Sequence, residues 1–359
     1  AKAADTPEKR RGVGIAWGGF NVTEGGSDSA EVALELMPGN KIRKYDTWHA
    51  MGQGATTGSL VVTLEALKEM HLTPEDIQLI QNDTKTCPDT GMAGASRSLY
   101  MDGNATIIAA NKLLAAMRKE DGTLRTYDEM KAEGIETKYL GRYETNTTPG
   151  LCRLDPNTGI GDPTPAFTYC LNLAEVEVDT KTGKTTVLKF TCVDFVGRIG
   201  NIDAVNGQAY SGIMHGIGFA LKEDYADVKK HANMFGAGTS YIKDVPDDIN
   251  LIHIDGAISD GPFGSSGASE AFQASGHCAV LNGIYNACGV RIHEIPALPE
   301  KVKAGLDAIA KGEKPYEPKK YFLGSDMYEE LENIKENPVQ VGTQSFYVSL
   351  DDPTAERPF

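Results

Sequence analysis

The sequence predicts an α+β fold of two α/β sublobes, made of hairpins and packed helices and followed by an extended C-terminal arm. Two strand–turn–strand patterns, at 30–48 and 171–196, and several stretches with apolar residues at helical spacing point to it. The third observation is bulk: across 359 residues, 40% are hydrophobic and 24% charged, a balance that belongs to packed globular chains. That length holds more than one core. We divide it into a polar lead at 1–11, a first sublobe at 12–165, a second at 166–311 and the arm at 312–359.

Residues 13–17 read as a short strand. Segments 30–37 and 41–48 flank Pro38-Gly39-Asn40, a turn tripeptide, and so form a hairpin. Leu60, Val61, Leu64 and Leu67 share one face of a helix over 55–70. Thr73-Pro74-Glu75 then supplies an N-cap, a first-turn proline and a dipole-favoured acid, opening a second short helix before a strand. A long helix covers about 96–117. The stretch 119–162 is polar and interrupted by Gly and Pro, which predicts surface connection around a short helix at 127–132.

In the second sublobe, 171–178 and 185–196 enclose Asp179-Thr180-Lys181-Thr182-Gly183-Lys184, a second hairpin. Residues 204–221 form a helix whose glycines at 207, 212, 216 and 218 require close approach of a ligand or another backbone. A short strand at 251–254 precedes the loop 261–267, and a single helix runs from Glu270 to about Cys288. Another begins at Pro299-Glu300 and ends near Lys311. Beyond it the chain is rich in Pro and charge with few apolar clusters, and is expected to lie on a partner.

The formal charge of -15 repels phosphate backbones, and Lys9, Arg10 and Arg11 are too short a basic run to reverse it, so nucleic acid is excluded as a partner. No apolar run approaches the roughly 18 residues of a membrane span, and the opening residues are polar rather than a signal-peptide core. Cysteines at 87, 152, 170, 192, 278 and 288 form no C-x-x-C pair; they read as buried thiols in a reducing cytoplasm. Seven histidines without H-x-x-x-H spacing argue against protein-bound zinc. Missing G-x-G-x-x-G, Walker and G-x-S-x-G patterns argue against NAD, ATP and a serine nucleophile.

Three glycine-bearing segments each precede a helix: Gly52-Gln53-Gly54, Gly91-Met92-Ala93-Gly94-Ala95-Ser96-Arg97, and Gly264-Ser265-Ser266-Gly267-Ala268-Ser269-Glu270. Each presents backbone N–H groups to which an anion can bind, and each taken alone reads first as a helix-entry turn. Glu270 reads as a first-turn acid, favoured by the helix dipole by a few tenths to about 1 kcal/mol. It reads also as a general base, because the small residues before it leave room for a substrate. Spacing leaves both readings open.

Gly261-Pro262-Phe263-Gly264-Ser265-Ser266-Gly267-Ala268-Ser269-Glu270, Asn282-Gly283-Ile284-Tyr285-Asn286-Ala287-Cys288-Gly289-Val290-Arg291 and Leu298-Pro299-Glu300-Lys301-Val302 resemble the C-terminal signature of the xanthine oxidase family of molybdenum hydroxylases. Lys229-Lys230-His231-Ala232, Asn206-Gly207-Gln208, Gly52-Gln53-Gly54-Ala55 and Gly94-Ala95-Ser96-Arg97-Ser98 extend the likeness, most closely to bacterial aldehyde oxidoreductases, from about Gly12 to Leu306. The resemblance implies an elongated molybdopterin-binding domain holding molybdopterin cytosine dinucleotide, with molybdenum carried by the pterin dithiolene and not by protein ligands. At the matched positions Gln53 meets the pterin side, with Gly52, Gly54 and Ala55 around it. Ser96, Arg97 and Ser98 meet the dinucleotide, Gln208 the cofactor near the metal, and Ser266, Gly267 and Ala268 lie beside the molybdenum. Glu270 is then the catalytic base under the metal's labile oxygen ligand.

The implied reaction oxidises aldehydes to carboxylic acids with water as the oxygen source. Electrons leave through [2Fe–2S] clusters, with FAD an open addition, on partner chains or further domains. The implied partners are the first molybdopterin-binding domain, an iron–sulfur domain or subunit and an aldehyde, in a complex that is itself a homodimer. Two alternatives stand beside it: hydroxylation of an N-heterocycle of the purine or nicotinate type, and a non-catalytic assembly chain that only closes over a cofactor held elsewhere. Ser269 stands where the family pattern has Gly, and the tail after about 311 has no match.

Overall fold

A computed structural model of the protein describes residues 5–23, 28–81, 83–145, 164–227, 229–313 and Glu336. The arm expected at 312–359 therefore lies almost wholly outside the described residues, as does Cys152. In chain order the strands are β1 (Lys9–Val22), β2 (Ser29–Met37), β3 (Lys41–Asp46), β4 (Ile77–Gln81), β5 (Lys138–Glu144), β6 (Ala166–Asp179), β7 (Thr185–Phe195) and β8 (Asp248–His253). The helices are α1 (Ala55–Ala66), α2 (Ser98–Met117), α3 (Tyr127–Ala132), α4 (Ile202–Leu221), α5 (Ser269–Gln273), α6 (Gly276–Cys288) and α7 (Pro299–Ala310). They form two four-stranded sheets, β4-β3-β2-β5 and β1-β6-β7-β8.

In the first sheet β2 and β3 form the expected hairpin, with Leu36 opposite Ile42 and the turn made by Pro38–Asn40. Gly39 and Asn40 both take positive φ there, which these two residue types accept readily. A crossover through α1 returns the chain parallel to β3 as β4. Leu34, Leu36 and Ile42 pack against Leu113, Met117 and Met130. The contact between β5 and α2 depends on Gly141, where a Cβ would stand 2.0 Å from the Ala105 carbonyl oxygen.

The second sheet is built on the β6–β7 hairpin, with β8 parallel to β7. Its inner face, including Val176, Phe190 and Cys192, packs on Ile213 of α4, Phe272 of α5, and Val280 and Ile284 of α6. Gly14 brings β1 onto α6: a Cβ there would lie 2.0 Å from the Ala279 carbonyl oxygen. Two of the four glycines of α4 serve close backbone packing, since a Cβ on Gly212 would meet Phe272 at 2.5 Å and one on Gly216 would meet Gly276 at 3.0 Å. Gly218 instead faces the Glu223 and Ser240 side chains, and Gly207 has no described atom within 4 Å, so the close approach expected there is not found.

Several expectations change. The strand expected at 13–17 runs over Lys9–Val22, so part of the polar lead is strand, and it pairs with β6 although it precedes position 165. The stretch 119–162 contains β5, which the sequence hides because Lys138, Arg142 and Glu144 are exposed and Gly141 takes an inward position. The single helix from Glu270 is two helices, α5 and α6, broken at 274–275, where Ser275 Oγ accepts a hydrogen bond from Asn172 at 2.9 Å. Thr73-Pro74 opens a 3-10 turn, Pro74–Asp76, and α1 stops at Ala66. Cys170 and Cys192 are buried, but Cys278 is exposed. Among the described residues no helix is long and apolar enough to cross a membrane.

Candidate active site

The first residues of α1, α2, α4 and α5 converge on one cavity of about 550 Å³. Gly54 and Ala55 bring the start of α1, Ser98 and Leu99 that of α2, Ala204, Val205 and Gln208 that of α4, and Ser269 and Glu270 that of α5. N–H groups at helix starts add positive potential to such a cavity beyond its formally charged side chains. Trp48, Val62 and Val196 add apolar wall.

Glu270 is held from the turn that precedes α2. Ser96 Oγ donates to Glu270 Oε2 at 2.6 Å, across 174 positions of sequence. Ser96 and Ala95 both have φ of +49°, an uncommon conformation for residues with side chains, so this turn is fixed by its surroundings. Thr23 N–H donates to the Ala95 carbonyl at 3.0 Å. Gly267 packs directly on the turn: a Cβ there would fall 1.8 Å from the Ser96 carbonyl oxygen. The Gly264 carbonyl accepts from Arg198 and Ile258 N–H, which ties this loop to the end of β7. Ser266 Oγ, beside it, is buried with no partner among the described residues and lines the cavity. A buried hydroxyl of that kind fits a polar ligand atom.

Ionic networks brace the helix starts from behind. Lys44 lies fully buried, 2.6 Å from Asp102 of α2 and 3.3 Å from Asp46 at the end of β3. Asp46 also accepts from Ser59 of α1 at 2.7 Å and Gln81 at 2.8 Å. Burial pushes the Asp102 carboxyl up to about 6 against the opposing pull of Lys44. At the second sheet, His253 contacts Asp194 Oδ2 through Nδ1 and Asn206 Oδ1 of α4 through Nε2, both at 2.8 Å. Burial raises Asp194 above the usual carboxylate range, with His253 acting in the other direction.

Of the residues singled out in the sequence, Gln53, Gly54, Ala55, Ser96, Ser98, Gln208, Ser266, Gly267, Ala268 and Glu270 all line the cavity. Arg97 and Gly52 do not. The Arg97 guanidinium is buried, paired with Asp28 at 2.7 Å and donating to the carbonyls of Ser29, Thr90 and Met92. It organises the loop that carries Ser96 and has no donor turned to the cavity. Gly52 shapes its turn with φ of +103°. The Gln53 amide bonds its own loop, donating to the His49 carbonyl at 2.7 Å. Sequence reasoning missed Trp48, Met51, Arg198, Asn201 and Phe263 in the wall. Gly197-Arg198-Ile199-Gly200-Asn201, a glycine-bearing link from strand to an Asn N-cap, was the available signal: Asn201 Oδ1 accepts from Ala204 N–H at 3.0 Å.

Residues 1–246 match the molybdopterin cofactor-binding domain family. The chain is 40% identical over 308 residues to the aldehyde oxidoreductase of Megalodesulfovibrio gigas, which covers 86% of this chain and 34% of that protein. It is 28% identical over 277 residues to a probable hypoxanthine oxidase of Escherichia coli, covering 73% of this chain and 29% of that protein. Among solved structures, the aldehyde oxidoreductase of Desulfovibrio desulfuricans superimposes with a TM-score of 0.81 at 43% identity, over 84% of this chain and 33% of that one. The chain thus spans about a third of the length of these relatives.

Proposed function

The chain belongs to the molybdopterin cofactor-binding domain family, among the molybdenum hydroxylases of the xanthine oxidase type, and from that premise we propose that it is the catalytic part of an aldehyde oxidoreductase. It would oxidise aldehydes to carboxylic acids as one piece of a larger complex. The observation that carries this reading is Glu270, a carboxylate in the cavity wall fixed by Ser96 at 2.6 Å.

The cavity fits the cofactor on three counts. The converging helix starts suit the pyrophosphate of a dinucleotide, here taken as the cytosine form. Gly267 leaves no room for a side chain beside Ser96, and Ser266 offers an unpartnered hydroxyl. We assign Gln53, Gly54 and Ala55 to the pterin side, Ser96 and Ser98 to the dinucleotide, and Gln208 with Ser266, Gly267 and Ala268 to the region nearest the metal. Arg97 contributes through the loop it holds, and Gly52 through its turn.

When bound, the cofactor supplies two-electron molybdenum chemistry, with electrons passing to iron–sulfur centres elsewhere in the complex. This chain supplies orientation and a base. Ser96 fixes Glu270 through Oε2, and the carboxylate takes the proton of the water that provides the new oxygen. The apolar wall of Trp48, Val62 and Val196 limits bulk water around it. We propose the division into two sublobes as the frame for this site, each contributing one side of the Ser96–Glu270 contact.

In the assembled complex, Glu270→Gln should keep its molybdenum while aldehyde turnover falls by about 10²- to 10⁴-fold. Metal analysis beside a turnover assay checks this, and near-normal turnover at full metal content defeats the assignment. The same assay with N-heterocycles fixes the substrate class; turnover of heterocycles in preference to aldehydes would move the chain to the other branch.

A further inference from the structure

We propose that Arg198 is a further binding residue of the cavity and holds a phosphate of the dinucleotide, a contact that none of the sequence motifs contains. The inference rests on the reading of the cavity as a cofactor site. Among the described residues that line it, the charged side chains are Glu65, Arg198 and Glu270. Glu270 accepts from Ser96, and Glu65 pairs with Lys68 at 3.0 Å. Arg198 is the cation of the wall, and no carboxylate, carbonyl or aromatic ring among the described residues takes its guanidinium. Arg97 makes the contrast. Its buried guanidinium is taken up by Asp28 and by the carbonyls of Ser29, Thr90 and Met92, whereas Arg198 is exposed and keeps its whole fork of donors open to a ligand.

Local structure brings this arginine to the loop of the base. Its N–H donates to the Gly264 carbonyl at 2.8 Å, and Gly197 and Ser265 form a bridge beside it. The side chain passes over Gly264, where a Cβ would stand 3.3 Å from Arg198 Cδ. Two residues further along that loop, Ser266 is 5% exposed and its Oγ has no partner among the described residues. An orphaned hydroxyl near an unpaired guanidinium awaits a group rich in acceptors. On its other side Arg198 leads into α4, a helix of 20 residues, and Gly200, Asn201 and Ala204 of that entry line the same cavity. The Asn201 side chain accepts the Ala204 N–H at 3.0 Å, and the amides ahead of it have no intrahelical acceptor, so they add positive potential. Asp203, the acid of that first turn, does not line the cavity.

Charge identifies the group that Arg198 takes. Glu65 and Glu270 already place carboxylates in the wall, so a pyrophosphate entering the same space meets repulsion that an unpaired guanidinium offsets. The planar fork grips two phosphate oxygens at once, and a helix start with a free hydroxyl completes the shell of donors around an oxyanion. An uncharged aldehyde makes no demand on a full cation.

The test strips the assembled complex of its cofactor and titrates it with inorganic pyrophosphate by calorimetry, in the parent, Arg198→Met, Arg198→Lys and Arg142→Gln. Arg198→Met should weaken binding by about 10-fold or more, as for a hydrogen bond to a charged group, and should flatten its dependence on salt. Arg198→Lys should recover part of the loss, because the charge survives and the fork does not. Arg142→Gln, which breaks surface pairs with Glu31 and Glu144, should bind as the parent does. The melting temperature of the stripped complex should not fall in Arg198→Met, since the side chain has no partner there to lose, while the rise that pyrophosphate brings should shrink. A stripped parent that takes up no pyrophosphate overturns the proposal, and so does equal affinity in the parent and Arg198→Met. It is overturned also if Arg198→Met keeps its pyrophosphate affinity while KM rises for aldehydes that carry a carboxylate and not for neutral ones, which would make Arg198 a substrate contact. The outcome is separable from the catalytic reading: a complex without molybdenum defeats that reading whatever Arg198→Met does, and unaltered pyrophosphate binding by Arg198→Met in a complex purified with full molybdenum defeats this assignment alone.

Discussion

Both sheets carry four strands with helices on one face, and both let a glycine bring strand and helix into backbone contact, yet one ends its outer face in ion pairs and the other in stacked aromatics. Their buried polar groups differ as well. The first places a full ion triad, Lys44 with Asp46 and Asp102, inside its core, whereas the second uses His253 between Asp194 and Asn206 at its margin. The first sheet pairs most of its outward charges, with Leu140 left 45% exposed among them, and carries its ion triad inside. The second keeps Ile15, Trp17 and Phe167 exposed on its outer face.

The sharpest way to test this difference is Lys44→Met, which strands two buried carboxylates. It should cost about 3–5 kcal/mol in denaturant unfolding, the range for breaking a buried ion pair. Adding Asp102→Leu should return more than half of that loss; a double variant as unstable as the single would show that the triad is not what holds α1, α2 and β3 together. A smaller effect is expected from Gly14→Ala and Gly141→Ala, each of which drives a methyl to 2.0 Å from a carbonyl oxygen. Overpacking of this kind costs about 1–3 kcal/mol, and similar melting shifts for the two would confirm that the inner faces are equivalent.

The smallest effect concerns the polar end of the second sheet. Lys9, and then Arg11, hold the Glu177 carboxyl below the usual carboxylate range. With a folded pKa below the unfolded one, its contribution is fully present above about pH 4.3 and fades as pH falls through the lower folded value. In acid titrations followed by circular dichroism, Glu177→Gln should lose this component, worth about 1 kcal/mol or less for a partly exposed pair. A variant that matches the parent at pH 7 would break the assignment.

Where pattern and tertiary structure agree, the sequence was readable: Pro38-Gly39-Asn40 marks the first hairpin and Asp179 to Lys184 the second, and the apolar spacing of α2 sets its length. It failed where packing replaces periodicity. Gly141 hides β5, Gly18 and Gly19 hide the second half of β1, and Ser275 breaks a helix through a hydrogen bond to a strand a hundred residues away. At the site, the glycine segments pointed to the residues that now line the cavity. The contact between Ser96 and Glu270 and the inward use of Arg97 were illegible, because each depends on a partner distant in sequence or on burial that charge alone does not suggest.

Val22 and Ala166 face each other as the last rung between β1 and β6, and the entire first sheet lies between them along the chain. The first sheet is therefore an insertion between two paired strands of the second. During synthesis β1 must wait, unpaired, until the insertion has been made, and closing so long a loop is the slow, entropy-limited event of folding. The same nesting makes the segment that carries the first sheet exchangeable: a unit grafted between Val22 and Ala166 would replace one wall of the cavity and the hydroxyl that steadies Glu270, while the loop bearing the base kept its own foundations.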